Sequence, residues 1–196
     1  KNVNRSVAES LAELAVLVPE AIAKGLGVRG YVSTMWGCPY EGPVRPEQGA
    51  TVVRRLLELG CHQVSLGDTI GVGTPNQTRR ILDLLLGFAR PEQLALHMHD
   101  TRGTALANVL VGLEAGLSTF DASIGGLGGC PYAPGASGNL ATEDLVYLLH
   151  GMGYETGVDW PKLIEAGAIA QRVVRRTLPG KALQAELATA ARAAQA

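Results

Sequence analysis

The chain has 196 residues, 46% of them hydrophobic and 18% charged, with a formal net charge of −1. That balance belongs to a globular protein able to bury a core. It excludes the concentrated basic stripe of a nucleic-acid binder, and no apolar run approaches the roughly 20 residues needed to span a bilayer. Three cysteines, Cys38, Cys61 and Cys130, are too few and too scattered for a disulfide framework or a paired-cysteine zinc site, which fits a reducing compartment.

In chain order, short apolar strands alternate with amphipathic helices. Ser6 to Glu9 forms a capping-box pattern, and Val7, Leu11, Leu14, Val18 and Ile22 then repeat at helical spacing, with Pro19 expected to kink the helix. Val28 to Thr34 reads as a strand. Pro46 opens a second helix that closes at Gly60, and Gln63 to Gly67 reads as the next strand. Thr74-Pro75-Asn76-Gln77 is a capping pattern with proline at the first helical position, opening a helix that carries Ile81, Leu82 and Leu85. Leu94 to His99 is a strand, Gly103 to Gly116 a helix, and Thr119 to Ile124 a fourth strand. The glycine-rich segment Gly125 to Gly138 follows. It leads into a short helix with Glu143 and Asp144 in its first turn, the right sign for the helix dipole, and helices over Pro161–Thr177 and Lys181–Ala194 finish the chain. No composition break divides residues 1–196, so a single domain is expected. Four β-then-α units imply an α/β fold with a parallel sheet and right-handed crossovers, a half barrel or a small open sheet. In either case ligands bind at the carboxyl ends of the strands.

The unusual residues fall on those ends. In His97-Met98-His99-Asp100 the period of a strand points His97 and His99 to one face, which suits a divalent metal or a hydrogen-bonded polar pair. Glycines 126, 128 and 129 let backbone approach a ligand closely and let a loop move. Cys130, between Gly129 and Pro131, has a thiol that is mostly protonated at neutral pH; it reads as a proton donor, a nucleophile beside a base, or a buried inert cysteine. Asn139 reads as a turn or cap residue or as a ligand. Asp68 and Thr69 emerge at a strand end, placed for substrate or for orienting a ligand, and Tyr31 lies on a strand with a phenol that can face the site. Gly71-Val72-Gly73 has neither the third glycine of a dinucleotide fingerprint nor the lysine of a P-loop. His62 and Cys61, at the opposite end of the sheet, read as structural, as does Cys38, and Arg172, Arg175 and Arg176 as a solvated helix face.

Together these motifs are specific. Ser123 to Tyr132 closely resembles the active-site motif of the 3-hydroxy-3-methylglutaryl-CoA lyase family, as do Gly37 to Gly42, Gly67 to Pro75, His97 to Thr101 and Gly135 to Leu145. The resemblance runs in order from Lys1 to about Arg176. It implies a TIM-like (β/α)₈ barrel, of which this chain supplies the C-terminal four β/α units and the C-terminal helices. It also implies a retro-Claisen cleavage of 3-hydroxy-3-methylglutaryl-CoA to acetyl-CoA and acetoacetate, as in leucine degradation and ketone-body formation. The family binds Mg²⁺ or Mn²⁺ through two histidines, an asparagine and an aspartate, which carries over to His97, His99 and Asn139. Cys130 would protonate the acetyl-CoA enolate under a closing loop, His97 or Asp68 would take the hydroxyl proton, and Tyr31 and Thr69 would contact substrate. A homodimer acting on an acyl-CoA is expected, cytoplasmic in a bacterium or in the mitochondrial matrix of a eukaryote.

The resemblance departs in one respect: the family's metal-binding aspartate and neighbouring arginine lie on the first barrel strand, which has no counterpart here. The 196 residues alone are therefore expected to be inactive and prone to aggregate through open sheet edges. Competing readings are a lyase for a longer branched 3-hydroxyglutaryl-CoA, other enzymes on the same metal-barrel plan that the cysteine motif disfavours, and a non-catalytic half-barrel module.

Overall fold

The computed structural model describes residues 4–128 and 138–195. Four strands, β1 (Arg29–Val32), β2 (Gln63–Asp68), β3 (Leu94–Met98) and β4 (Phe120–Asp121), form one sheet in the order β1-β2-β3-β4, every pair parallel. The helices between them are α2 (Pro46–Glu58), α3 (Pro75–Leu86) and α4 (Ala105–Glu114), preceded by α1 (Val7–Ala23). Sequential strands joined by helices are the repeating β/α unit of a barrel.

The register decides what each face carries. Gly30, Val32, Val64, Leu66, Leu94, Leu96, Met98 and Phe120 share one face, where the strand residues from Val64 to Met98 lie against the helices with almost no exposure. Burying each such leucine contributes about 1.5–3 kcal/mol. Val53 and Leu56 of α2, Ile81, Leu82 and Leu85 of α3, and Val109 of α4 complete that layer. The approach of α4 to β3 depends on Gly112: a Cβ there would stand 2.7 Å from Leu96 Cδ1. The other face alternates Arg29, Tyr31, Gln63, Ser65, Gly67, His97 and Asp121.

Local signals act as the sequence predicts at most helix starts. Ser6 and Glu9 make both bonds of the capping box. The helix then runs through Pro19 to Ala23. At α3 the Gln77 side chain accepts from the Thr74 N–H at 3.0 Å. Two strands are shorter than expected. β1 stops at Val32 because Thr34 turns to a φ of 61°, its N–H taken by the Thr69 hydroxyl at 2.9 Å. β4 is two residues long, because beyond it Ser123 bridges Ala141 rather than β3. α4 likewise starts at Ala105, after the Asp100 carboxylate accepts the Ala105 N–H.

After the sheet come α5 (Thr142–Gly151), α6 (Trp160–Val174) and α7 (Lys181–Ala193). The two acids in the first turn of α5 serve neighbours rather than their own helix alone. Glu143 accepts from the Gly125 N–H at 2.7 Å, and Asp144 accepts from the N–H groups of Lys181 and Ala182 at 3.1 and 2.6 Å, capping α7. Arg172, Arg175 and Arg176 are exposed, and Cys61 is buried in the core. No helix among the described residues is long and apolar enough to cross a membrane.

Candidate active site

The period of β3 brings the predicted histidine pair together. The rings of His97 and His99 lie 5.5 Å apart between centroids, tilted by 47°. His99 is buried, and its Nδ1 has no hydrogen-bond partner, a costly state for a polar atom unless something outside the chain completes it. Burial, and then the neighbouring His97, lower the pKa of His99. Both effects favour the neutral imidazole, the form that ligates metal.

Asn139 joins the pair through a backbone bridge to His99. Its side-chain N–H donates to the Leu127 carbonyl at 2.9 Å, which fixes the amide between His99 and the glycine segment. Gly138 makes that approach possible: its φ is +118°, and a Cβ would fall 2.2 Å from the Gly126 carbonyl oxygen and 2.5 Å from that of Gly128. Gly126 and Gly128 therefore flank Asn139, while Gly129 and Cys130 lie outside the described residues. A small cavity of about 160 Å³ adjoins the site, lined in part by Asp100, Gly126, Asn139, Asp144 and Lys181.

Tyr31 also reaches the pair. Its ring meets His97 edge-on at 6.5 Å, and its hydroxyl accepts from Arg29 Nη1 at 2.6 Å. Gly67, the register partner of His97, presents no side chain beside it. Asp68 and Thr69 are placed elsewhere. Asp68 aligns with Met98, so it falls on the helix-covered face; it is fully buried, and its oxygens accept from the Val72 and Gly73 N–H groups at 3.0 and 2.8 Å. Burial pushes the Asp68 carboxyl up, against the pull of those two N–H groups. Thr69 is engaged in the turn after β1.

The sequence reading missed Asp121, at the end of β4. Its Oδ1 pairs with Arg29 Nη2 at 2.8 Å, and its Oδ2 lies 2.7 Å from Ser65 Oγ and 3.3 Å from His97 Nδ1. Burial alone would raise its pKa, but the hydrogen bonds from His97, Arg29 and Ser65, with the Arg29 charge, hold the carboxyl far below the usual range. The available signal was periodicity: Asp121 is two residues from Thr119 on the strand that the register lays beside β3.

Among the described residues, no three His, Cys, Asp or Glu side chains converge in a geometry that would hold a metal. What converges is two imidazoles and an amide. That mixed nitrogen and oxygen set, with a buried and unpartnered Nδ1, fits a divalent ion of the hard or borderline kind with positions left for other ligands.

The HMGL-like family model matches residues 1–170. The chain is 52% identical over 185 residues to the cytoplasmic 3-hydroxy-3-methylglutaryl-CoA lyase of Danio rerio, covering 94% of this chain and 55% of that protein. It is 51% identical over 185 residues to the mitochondrial hydroxymethylglutaryl-CoA lyase of Bos taurus, covering 94% of this chain and 57% of that one. Among solved structures, the hydroxymethylglutaryl-CoA lyase of Pseudomonas aeruginosa superposes with a TM-score of 0.92 at 46% identity, over 96% of this chain and 63% of that chain. An α/β fold of parallel strands alternating with helices is that of the HMGL-like barrels. The chain belongs to the HMGL-like family, and it spans about half the length of the curated relatives it matches.

Proposed function

We propose that the polypeptide carrying this chain is a carbon–carbon lyase that cleaves 3-hydroxy-3-methylglutaryl-CoA to acetyl-CoA and acetoacetate. The observation that carries the reading is the convergence of His97, His99 and Asn139 at the strand ends, in a chain about half identical to enzymes named for that substrate. His97, His99 and Asn139 would hold Mg²⁺ or Mn²⁺, and the chemistry such an ion supplies there is Lewis acidity at the tertiary hydroxyl of the substrate.

The chain's own residues supply the rest. The hydroxyl proton leaves toward the polar face, where His97 is partly exposed; its single free lone pair, on Nε2, either holds the ion or takes that proton, not both. Asp68, the other candidate base, is enclosed by its turn and has no route to that face. Loss of that proton lets the electron pair collapse to a carbonyl, breaking the carbon–carbon bond and leaving the acetyl-CoA enolate. Cys130, whose unperturbed thiol is protonated at neutral pH, returns a proton to that enolate carbon. Gly128 packs against the Asn139 amide. Tyr31 and Arg29 line the polar approach. The same reading makes the protein a homodimer, in keeping with the exposed Ile169 and Val173 on α6, and places it in the cytoplasm or the mitochondrial matrix.

The test is turnover of 3-hydroxy-3-methylglutaryl-CoA by the polypeptide that carries this chain. Release of acetyl-CoA and acetoacetate with Mg²⁺ or Mn²⁺, abolished by EDTA, is the expected result. A folded, metal-loaded protein without turnover removes this substrate and shifts the reading to a longer branched homologue.

A further inference from the structure

Asp121 lies on the polar face beside His97 but is held from three strands at once. Its Oδ1 is taken by Arg29 of β1, and its Oδ2 by the Ser65 hydroxyl of β2 and by His97 of β3. Ser65 is completely buried, so no water competes for that bond. Arg29 is fixed in turn, with Nη1 on the Tyr31 hydroxyl at 2.6 Å and Nε on Gln63 Oε1 at 2.8 Å. Gln63 is anchored to Thr119 Oγ1 at 3.0 Å. With both oxygens engaged, Asp121 is poorly placed to ligate an ion itself.

The chemistry of the contact fixes the proton on His97. A carboxylate paired with arginine accepts hydrogen bonds and donates none, so Nδ1 of His97 must be the protonated nitrogen. In a neutral imidazole the other nitrogen then carries no hydrogen. A bare Nε2 is what a ligand to a divalent ion needs, and also what a proton acceptor needs.

We propose that Asp121 is a positioning residue for this site: it holds His97 as the Nδ1–H tautomer, with Nε2 bare on the far side of the ring. Arg29 and Ser65 keep the carboxylate in place for that task. The assignment rests on the reading of His97 as a metal ligand, and it adds a residue to that site that acts only through His97.

The experiment has two parts. First, nitrogen-15 NMR of the metal-free chain at neutral pH should show His97 with a protonated Nδ1 and an unprotonated Nε2. The opposite tautomer overturns the assignment without any substitution. Second, Mn²⁺ binding is followed by electron paramagnetic resonance in the polypeptide that carries this chain, as parent and as Asp121→Asn. In the variant the amide oxygen pairs with Arg29, leaving an N–H₂ toward His97 that forces its proton onto Nε2. Affinity should fall about 10–100-fold while the far-ultraviolet circular dichroism is unchanged. Ser65→Ala removes one of the bonds that steady the carboxylate but not its contact with His97, so affinity should fall by about threefold, less than in Asp121→Asn. A folded Asp121→Asn chain that binds Mn²⁺ like the parent overturns the positioning role and leaves the metal reading standing. A folded polypeptide carrying this chain that binds no Mn²⁺ overturns the metal reading, and this assignment with it.

Discussion

The two faces of the sheet are built from the same four strands and share almost nothing else. On one, Leu66, Leu94, Leu96 and Met98 are closed under three helices, and the polar groups there are buried and paired, Asp68 in its own turn and Thr78 with Asn108 and Trp36. On the other, Arg29, Tyr31, Gln63, His97 and Asp121 form a connected set of hydrogen bonds, partly open to solvent, with the buried Ser65 beneath it. Because a strand alternates faces residue by residue, stability and chemistry can be set almost independently within one five-residue stretch such as β3. Residues 96 and 98 hold the helices, and residues 97 and 99 hold the site.

Substitutions can break that separation. The largest effect is expected from His99→Ala, which should cut lyase turnover on the order of 10³-fold, about 4 kcal/mol of barrier, with the fold intact. Near-parental activity in a folded variant would show that the polar face is not the reaction centre. Leu96→Ala, three residues earlier, should do the reverse: a loss of about 3 kcal/mol in urea unfolding, with activity retained at low temperature. Gly112→Ala should cost about 2 kcal/mol by driving a methyl against Leu96, and a variant as stable as the parent would mean that α4 shifts freely on the sheet.

A smaller effect concerns Glu143, which belongs to neither face. It is fully buried, with Oε1 unpartnered, and burial raises its pKa. Folding therefore favours its protonated form. That contribution is complete below the unfolded value, near 4.3, and is lost as pH rises through the elevated folded value. Glu143→Gln keeps an acceptor for the Gly125 N–H without a charge. It should raise Tm by about 2–6 °C at pH 8, from about 1–2 kcal/mol, and by almost nothing at pH 4. An equal shift at both values would rule out the buried charge as the cause.

Much of this was legible in the residues. The helical period of Ile81, Leu82 and Leu85 and the period of two in His97-Met98-His99 are local patterns, and local patterns survive folding when burial reinforces them. The HMGL-like resemblance was legible for the same reason, since its motifs are short and contiguous. What the sequence hid is non-local. Arg29 and Asp121 meet across 92 positions, and nothing near either residue announces the other. The face that Asp68 takes was also hidden, because a strand end looks the same from the sequence whichever way its last side chain points. The early end of β1 also turned on a distant hydroxyl, that of Thr69 on Thr34.

The first turn of α5 ties together pieces of chain that are far apart in sequence. Glu143 holds the amide of Gly125 while Asp144 holds those of Lys181 and Ala182. In hydrogen exchange, these three amides should open as one cooperative unit with the start of α5 rather than with the helices on which they sit. Fraying of the last helix would then be felt at the glycines beside Asn139, so the dynamics of the candidate site are coupled to a part of the chain that never touches the histidines.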